Sequence, residues 1–251
     1  MNSNKDIAIL IPFRNEEKNL GQLLTQIDRI GGVDYANVFL IDDHSTDDSL
    51  EVIRAHSMCG KLKILSCQES VYGKKRALEK GVIESGGKWI LSWDCDIQLE
   101  KFDWMVLEEL ISNNVELAVL PVRMKSGNGF FELFQQAEWR ILQYWTFLAL
   151  RCNQPIMANG ANLFFTSNLF LNQPQRNYLF SSGDDMNMLH EAIQVKGKIE
   201  GVDLPSNAIN IYPVDSLATY CQQRWRWAGK IRKYPITCIN YMYVLFSIWN
   251  F

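Results

Sequence analysis

The sequence predicts an α/β protein built on a doubly wound, mostly parallel sheet with a C-terminal amphipathic, interfacial helical region. Three observations lead there. Short apolar runs recur through the first half, helical patterns separate them, and polar or acidic residues gather just after the runs end. With 251 residues, 47% of them hydrophobic and 21% charged, the chain can bury a sizeable core, and disordered, collagenous and coiled-coil classes are excluded.

Taken in order, Ile7-Ala8-Ile9-Leu10-Ile11-Pro12 reads as a buried strand. Leu20, Leu23, Leu24 and Ile27 then recur at the spacing of one helical face. Val38-Phe39-Leu40-Ile41 is a second strand, and Ser45-Thr46-Asp47-Asp48 is a capping signal, with Ser45 the expected cap of a helix through about Ala55. The pattern continues with a strand at 62–65, a helix at 74–84, a strand at 89–93, a helix at 103–112 and a strand at 117–121. Such a succession places ligands at the carboxyl ends of the strands. The second half is less regular: 130–147 carries seven aromatics on one helix, a spacing that suits core or interface. A small-residue stretch, Ala158–Asn162, precedes the apolar Leu163-Phe164-Phe165.

The net charge is −3, from 25 Lys and Arg against 28 Asp and Glu, so a whole-molecule basic footprint for nucleic acid is missing. The distribution is uneven. No acidic residue follows Asp215, and Arg224, Arg226, Lys230, Arg232 and Lys233 give the last 36 residues +5. Tyr234–Phe251 has no charged side chain; at 18 residues it sits at the lower limit of a spanning helix, and Pro235, Asn240 and Asn250 weaken that reading. It is expected to be an interfacial segment or the start of a membrane region. Six scattered cysteines without CxxC fit a reducing compartment, and the N-terminus lacks a signal-peptide core, so a cytosolic location is expected.

Chemistry-bearing residues sit where strands end. Asp94-Cys95-Asp96 follows a strand directly, and its two carboxylates can converge on a divalent cation. Asp42 and Asp43 can accept hydrogen bonds from a nucleobase or ribose, and Pro12-Phe13-Arg14-Asn15-Glu16 offers similar means. Gly183-Asp184-Asp185 opens a helix, where a carboxylate is either an ionised base or, for Asp184, an N-cap. Gln223, Arg226 and Trp227 share one helical face, suited to phosphate and sugar, or to a membrane surface. No P-loop, GxGxxG, HExxH or GxSxG pattern is present.

In order, Ile11–Glu16, Ile41–Asp47, Gly73–Leu78, Asp94–Asp96, Gly183–Asp185 and the QxxRW pattern Gln223–Trp227 resemble the family 2 glycosyltransferases, inverting enzymes with a GT-A fold. The resemblance runs over roughly 7–233. It implies that Asp43 holds the nucleobase, with Asp42 beside it and Pro12, Asn15 and Glu16 lining the pocket. Lys74 matches the family's lysine, while Lys75-Arg76 replace small residues common there. Asp96 would bind Mg²⁺ or Mn²⁺, Asp94 would lie nearer sugar and ribose, and Asp185 (with Asp184 beside it) would be the general base. Gln223, Arg226 and Trp227 would close over diphosphate and acceptor. The implied partners are a nucleotide-sugar donor, a carbohydrate or lipid-linked acceptor and a membrane surface, with no nucleic acid. Residues 1–215 are expected to be the catalytic domain and 216–251 a basic interfacial helix and apolar tail on the cytoplasmic side of a membrane. A non-catalytic nucleotide-sugar-binding assembly subunit is the alternative. A sugar-1-phosphate nucleotidyltransferase ranks last, because no Gly-rich loop follows the first strand.

Overall fold

The computed structural model describes residues 6–67, 73–172 and 184–231, with Asp184 and 227–231 described by backbone alone. The expectations for Gly183 and for the apolar tail 234–251 lie outside the described residues. The chain divides into two compact units, Met1–Arg123 with Met157–Ile211, and Met124–Ile156 with Tyr212–Phe251.

The first unit holds a seven-stranded sheet of β1 (Ile7–Phe13), β2 (Asn37–Asp42), β3 (Lys63–Ser66), β4 (Trp89–Trp93), β5 (Leu117–Val119), β7 (Asn162–Thr166) and β8 (Ile199–Gly201). Two short strands, β6 (Val122–Met124) and β9 (Ile209–Ile211), lie outside it. The order is β3-β2-β1-β4-β7-β5-β8. β3, β2, β1 and β4 run parallel, as do β5 and β8. Every residue of β1 is buried, which explains its unbroken apolar run: a strand covered on both faces has no polar side to show.

Helices α1 (Glu17–Arg29), α2 (Gly32–Tyr35), α3 (Ser49–Ala55), α4 (Lys74–Ser85) and α5 (Met105–Ser112) alternate with these strands. Leu20, Leu23, Leu24 and Ile27 form the buried stripe of α1, as their spacing predicts. Helix α4 lies close against β1 and β2: a Cβ on Gly81 would meet Leu10 Cδ1 and Ile41 Cδ1 at 3.0 Å, tighter than ordinary packing.

Two details differ from the sequence expectation. Strand β7 enters antiparallel between β4 and β5, which the succession of apolar runs does not disclose. Leu163, Phe164 and Phe165 are fully buried, and such a run carries no sign of direction. The helix expected after Ser45 starts at Ser49 with Asp48 at its N-cap position and no side-chain cap. Ser45 instead accepts the Asn15 N–H through Oγ (3.0 Å).

Asn162, at the start of β7, fastens the end of β4. Its Oδ1 accepts the Trp93 indole N–H (2.9 Å), while its amide donates to the Pro121 and Asn207 carbonyls (3.0 Å each). The residue is completely buried. Asn162→Leu orphans one donor and two acceptors, so a loss of about 2–4 kcal/mol is expected in urea unfolding. A change below about 0.5 kcal/mol would show that water replaces these bonds.

The second unit contains α6 (Phe130–Arg151) and α9 (Leu217–Ile231); α7 (Ser167–Leu171) and α8 (Asp184–Gln194) belong to the first. Glu138 on α6 pairs with Arg224 on α9 through Nε (3.1 Å) and Nη2, both side chains being buried. The guanidinium also lies 4.3 Å from the Tyr220 ring centre, and Tyr220 meets Phe131 edge-on. Gln135 exchanges two 3.0 Å hydrogen bonds with the Val214 backbone.

Candidate active site

The loops after β1 and β2 are stitched into one wall. Thr46 N–H donates to Asn15 Oδ1 (2.8 Å), Glu16 N–H to Ser49 Oγ (2.8 Å) and Glu17 N–H to Asp47 Oδ2 (3.1 Å). Asn15 and His44 adopt left-handed backbone conformations (φ 56° and 62°), turning each loop back immediately after its strand. Pro12 is the penultimate residue of β1 and pairs in register with Ile41.

The two adjacent aspartates have different duties. Asp42 Oδ1 accepts the Ser45 N–H (2.9 Å), holding the turn. Asp43 Oδ2 accepts the Gly73 N–H (2.8 Å) and its Oδ1 lies 3.2 Å from His44 Nδ1. Asp43 thereby ties the loop after β2 to the start of α4. Gly73 has φ 134°, a conformation that favours glycine, so the Gly-Lys pair is needed to deliver Lys74 at this point.

From Lys74 a chain of contacts crosses the site. Its ammonium pairs with Asp94 and donates to the Gly160 carbonyl at 3.1 Å. The Gly160 N–H donates to Asp185 Oδ2 at 3.2 Å, while Asp185 Oδ1 accepts the Met186 N–H at 2.8 Å. Residues from α4, the end of β4, the segment before β7 and the first turn of α8 therefore converge. A Cβ on Gly160 would lie 3.5 Å from both Lys74 Nζ and Asp185 Oδ2. Gly160 is legible in the sequence only as part of a small-residue stretch; nothing in its type announces a backbone bridge.

Asp94, Asp96 and Glu16 repel one another. Burial, then the Asp94 charge, raises the Asp96 carboxyl against the opposing backbone bond and Lys74 charge. Burial also raises Glu16, with Asp96, Asp47 and Asp94 adding to it and the Asn19 hydrogen bond opposing. Crowded carboxylate oxygens of this kind suit a hard divalent cation. Among the described residues no group of three or more His, Cys, Asp or Glu side chains is placed to hold a metal by itself. One or two carboxylates completed by substrate phosphate oxygens is the usual arrangement for Mg²⁺. The segment after Asp96 is held by glutamines: Gln98 Oε1 accepts from Gln22 and Gln26 (3.0 Å each), and Gln26 Oε1 accepts the Leu99 N–H (2.6 Å).

Gln223, Arg226 and Trp227 lie in the second unit on α9. Gln223 Oε1 accepts from Arg224 Nη1 (2.8 Å) and Arg226 is exposed, whereas the Trp227 side chain lies outside the described residues. The Asp184 side chain does too.

The model of the family described as Glycosyl transferase family 2 matches residues 8–169, well over half of the chain. The chain belongs to glycosyltransferase family 2. The matched part contains Asp43, Lys74, Asp94, Asp96 and Gly160; Asp185 and the QxxRW residues of this family 2 chain lie beyond it. A 4,4'-diaponeurosporenoate glycosyltransferase of Staphylococcus aureus is 31% identical over 110 residues, covering 44% of this chain and 28% of that protein's length. Among solved structures, S. aureus TarS superposes with a TM-score of 0.60 at 16% identity, over 92% of this chain and 40% of TarS. Glucosyl-3-phosphoglycerate synthase from Mycobacterium tuberculosis, in complex with Mn²⁺, UDP and glucosyl-3-phosphoglycerate, gives 0.58 at 16% identity, over 92% of this chain and 81% of that one. The fold is thus shared with GT-A glycosyltransferases.

Proposed function

We propose that this family 2 chain transfers a sugar from a nucleotide-sugar donor to an acceptor hydroxyl with inversion, in a divalent-cation-dependent reaction at the cytosolic face of a membrane. The observation that carries the proposal is the contact chain Asp94–Lys74–Gly160–Asp185 beside Asp96. It links the donor-side carboxylates to a single carboxylate on the far side.

In this reading Asp43, Asp42, Pro12, Asn15 and Glu16 bind the nucleoside part, and Lys74 fixes Asp94 toward sugar and ribose. Mg²⁺ or Mn²⁺ would be held by Asp96 with Asp94, and when bound it offsets the charge of the diphosphate. Asp185 takes the proton of the acceptor hydroxyl as that oxygen bonds to the anomeric carbon. The bond from that carbon to the diphosphate breaks in the same step, and its electron pair leaves with the phosphate oxygen. Gln223, Arg226 and Trp227 engage diphosphate and acceptor. Residues 1–215 carry the chemistry, and 216–251 attach the enzyme to the membrane as a peripheral or anchored segment. A carbohydrate or lipid-linked molecule is the acceptor.

UDP-sugars are the first donors to test, since TarS has been solved in complex with UDP-GlcNAc and the mycobacterial synthase in complex with UDP and Mn²⁺. A panel of UDP-, GDP- and dTDP-sugars is expected to yield one clear winner in Mn²⁺-dependent binding and slow hydrolysis. Binding of none of them would overturn the proposal. With the winning donor, Lys74→Met is expected to raise KM about 10–100-fold, because it frees Asp94 and removes a charge facing the donor; Lys74→Arg should recover part of the loss. An unchanged KM in Lys74→Met would remove the lysine from the donor site.

A further inference from the structure

In the second unit, α6 buries polar residues beside the apolar Trp139, Leu142 and Phe147. Gln135, Gln136 and Glu138 face inward and are buried. Gln135 bonds the Val214 backbone, Gln136 bonds Met124 and Ser126, and Glu138 bonds Arg224. On the outward side Phe130, Leu133, Phe134, Ile141, Tyr144 and Trp145 are all exposed, Phe130 to 88%, Tyr144 to 65% and Trp145 to 46%. Steps of three, four and seven place them on one stripe, about 22 Å long from Phe130 to Trp145.

The charge on this face has one sign. Arg140 and Arg151 are the exposed charged residues of α6. Its acidic residues are engaged elsewhere, Glu138 with Arg224 and Glu132 with the Gly129 N–H (3.1 Å). On α9, Trp225 is 71% exposed and Arg226 is exposed beside it. The whole unit has eight Lys and Arg against three Asp and Glu, a net +5, while the remainder of the chain carries −8.

We propose that the aromatic stripe of α6 is a membrane-docking face, lying flat in the headgroup region of an anionic bilayer. It rests on the reading that the enzyme works at a membrane, and extends the contact from 216–251 to a surface that reading leaves out. Tyr and Trp rings with apolar bodies and polar tips settle at the water–lipid boundary, and flanking arginines meet anionic headgroups. Among the described residues no helix is long and apolar enough to cross a membrane. Helix α6 accordingly lies along the surface. Charge complementarity selects the bilayer over a second copy: pairing two copies through this face brings Arg140 and Arg151 against arginines of the same sign, whereas anionic lipid supplies the opposite sign.

The test is flotation of the full-length chain with vesicles of phosphatidylcholine, alone or mixed with phosphatidylglycerol. Wild type is expected to float with the mixed vesicles and to be weakened by salt. The triple variant Phe130→Ser, Tyr144→Ser, Trp145→Ser changes only exposed side chains, so its melting temperature should hold while partitioning falls about ten-fold or more. Partitioning equal to wild type would overturn the proposal and assign all attachment to the tail. A variant that abolishes dimers seen by sedimentation, with lipid binding unchanged, would overturn it in favour of self-association. UDP-sugar binding is measured on the same samples: its absence would sink the transferase reading, whereas vesicle binding reports on the stripe alone.

Discussion

Asp185→Asn is expected to lower turnover about a thousand-fold while changing UDP affinity less than about threefold. The substitution keeps the size of the side chain, and the amide oxygen can still accept the Gly160 N–H that Asp185 Oδ2 accepts at 3.2 Å. What disappears is the ability to take a proton from the acceptor hydroxyl, together with the acceptor for the Met186 N–H. Asp43 and Asp94 keep their own partners in this variant, the Gly73 N–H and the Lys74 ammonium, so nucleotide affinity is expected to hold. Asp184→Asn is the companion measurement: a modest loss there assigns the proton to Asp185, and a thousand-fold loss there with an active Asp185→Asn would move the base one residue upstream.

The largest stability effect is expected in the second unit. Glu138→Ala leaves the buried Arg224 guanidinium without its carboxylate, and a buried charge stripped of its partner costs about 3–5 kcal/mol. A fall in the midpoint of urea unfolding should report it. Replacing both residues, Glu138→Leu with Arg224→Met, removes the charge as well as the partner and should recover most of the loss. If the single and double variants were equally destabilised, hydrogen-bond geometry rather than charge would be the reason.

How far the sequence discloses this molecule depends on what each residue pattern encodes. The seven residues of β1 and the Leu20–Ile27 stripe of α1 state their burial outright, because burial is what their spacing records. The direction of β7 is not recorded: Leu163-Phe164-Phe165 would look the same in a parallel strand, and its place between β4 and β5 is decided by long-range packing. Asp94 and Asp96 are legible because carboxylates just past a strand end have few structural reasons to be there. Gly160 and Asn162 are not, since one acts through its peptide and the other as a buried amide with three partners. The seven aromatics of 130–147 reveal a helix of unusual composition, but not that Trp139 and Phe147 point in while Tyr144 and Trp145 point out. That depends on Gln135 and Glu138 finding partners, the Val214 backbone and Arg224, on a segment some eighty residues away.

At the centre stands the proposal that Asp185 activates the acceptor for in-line attack on the anomeric carbon. The most direct measurement is proton NMR of the anomeric configuration of the product from an α-linked UDP-sugar, recorded before mutarotation where water is the acceptor. Inversion requires the β product, formed by wild type and lost in Asp185→Asn. Formation of the α product would contradict it.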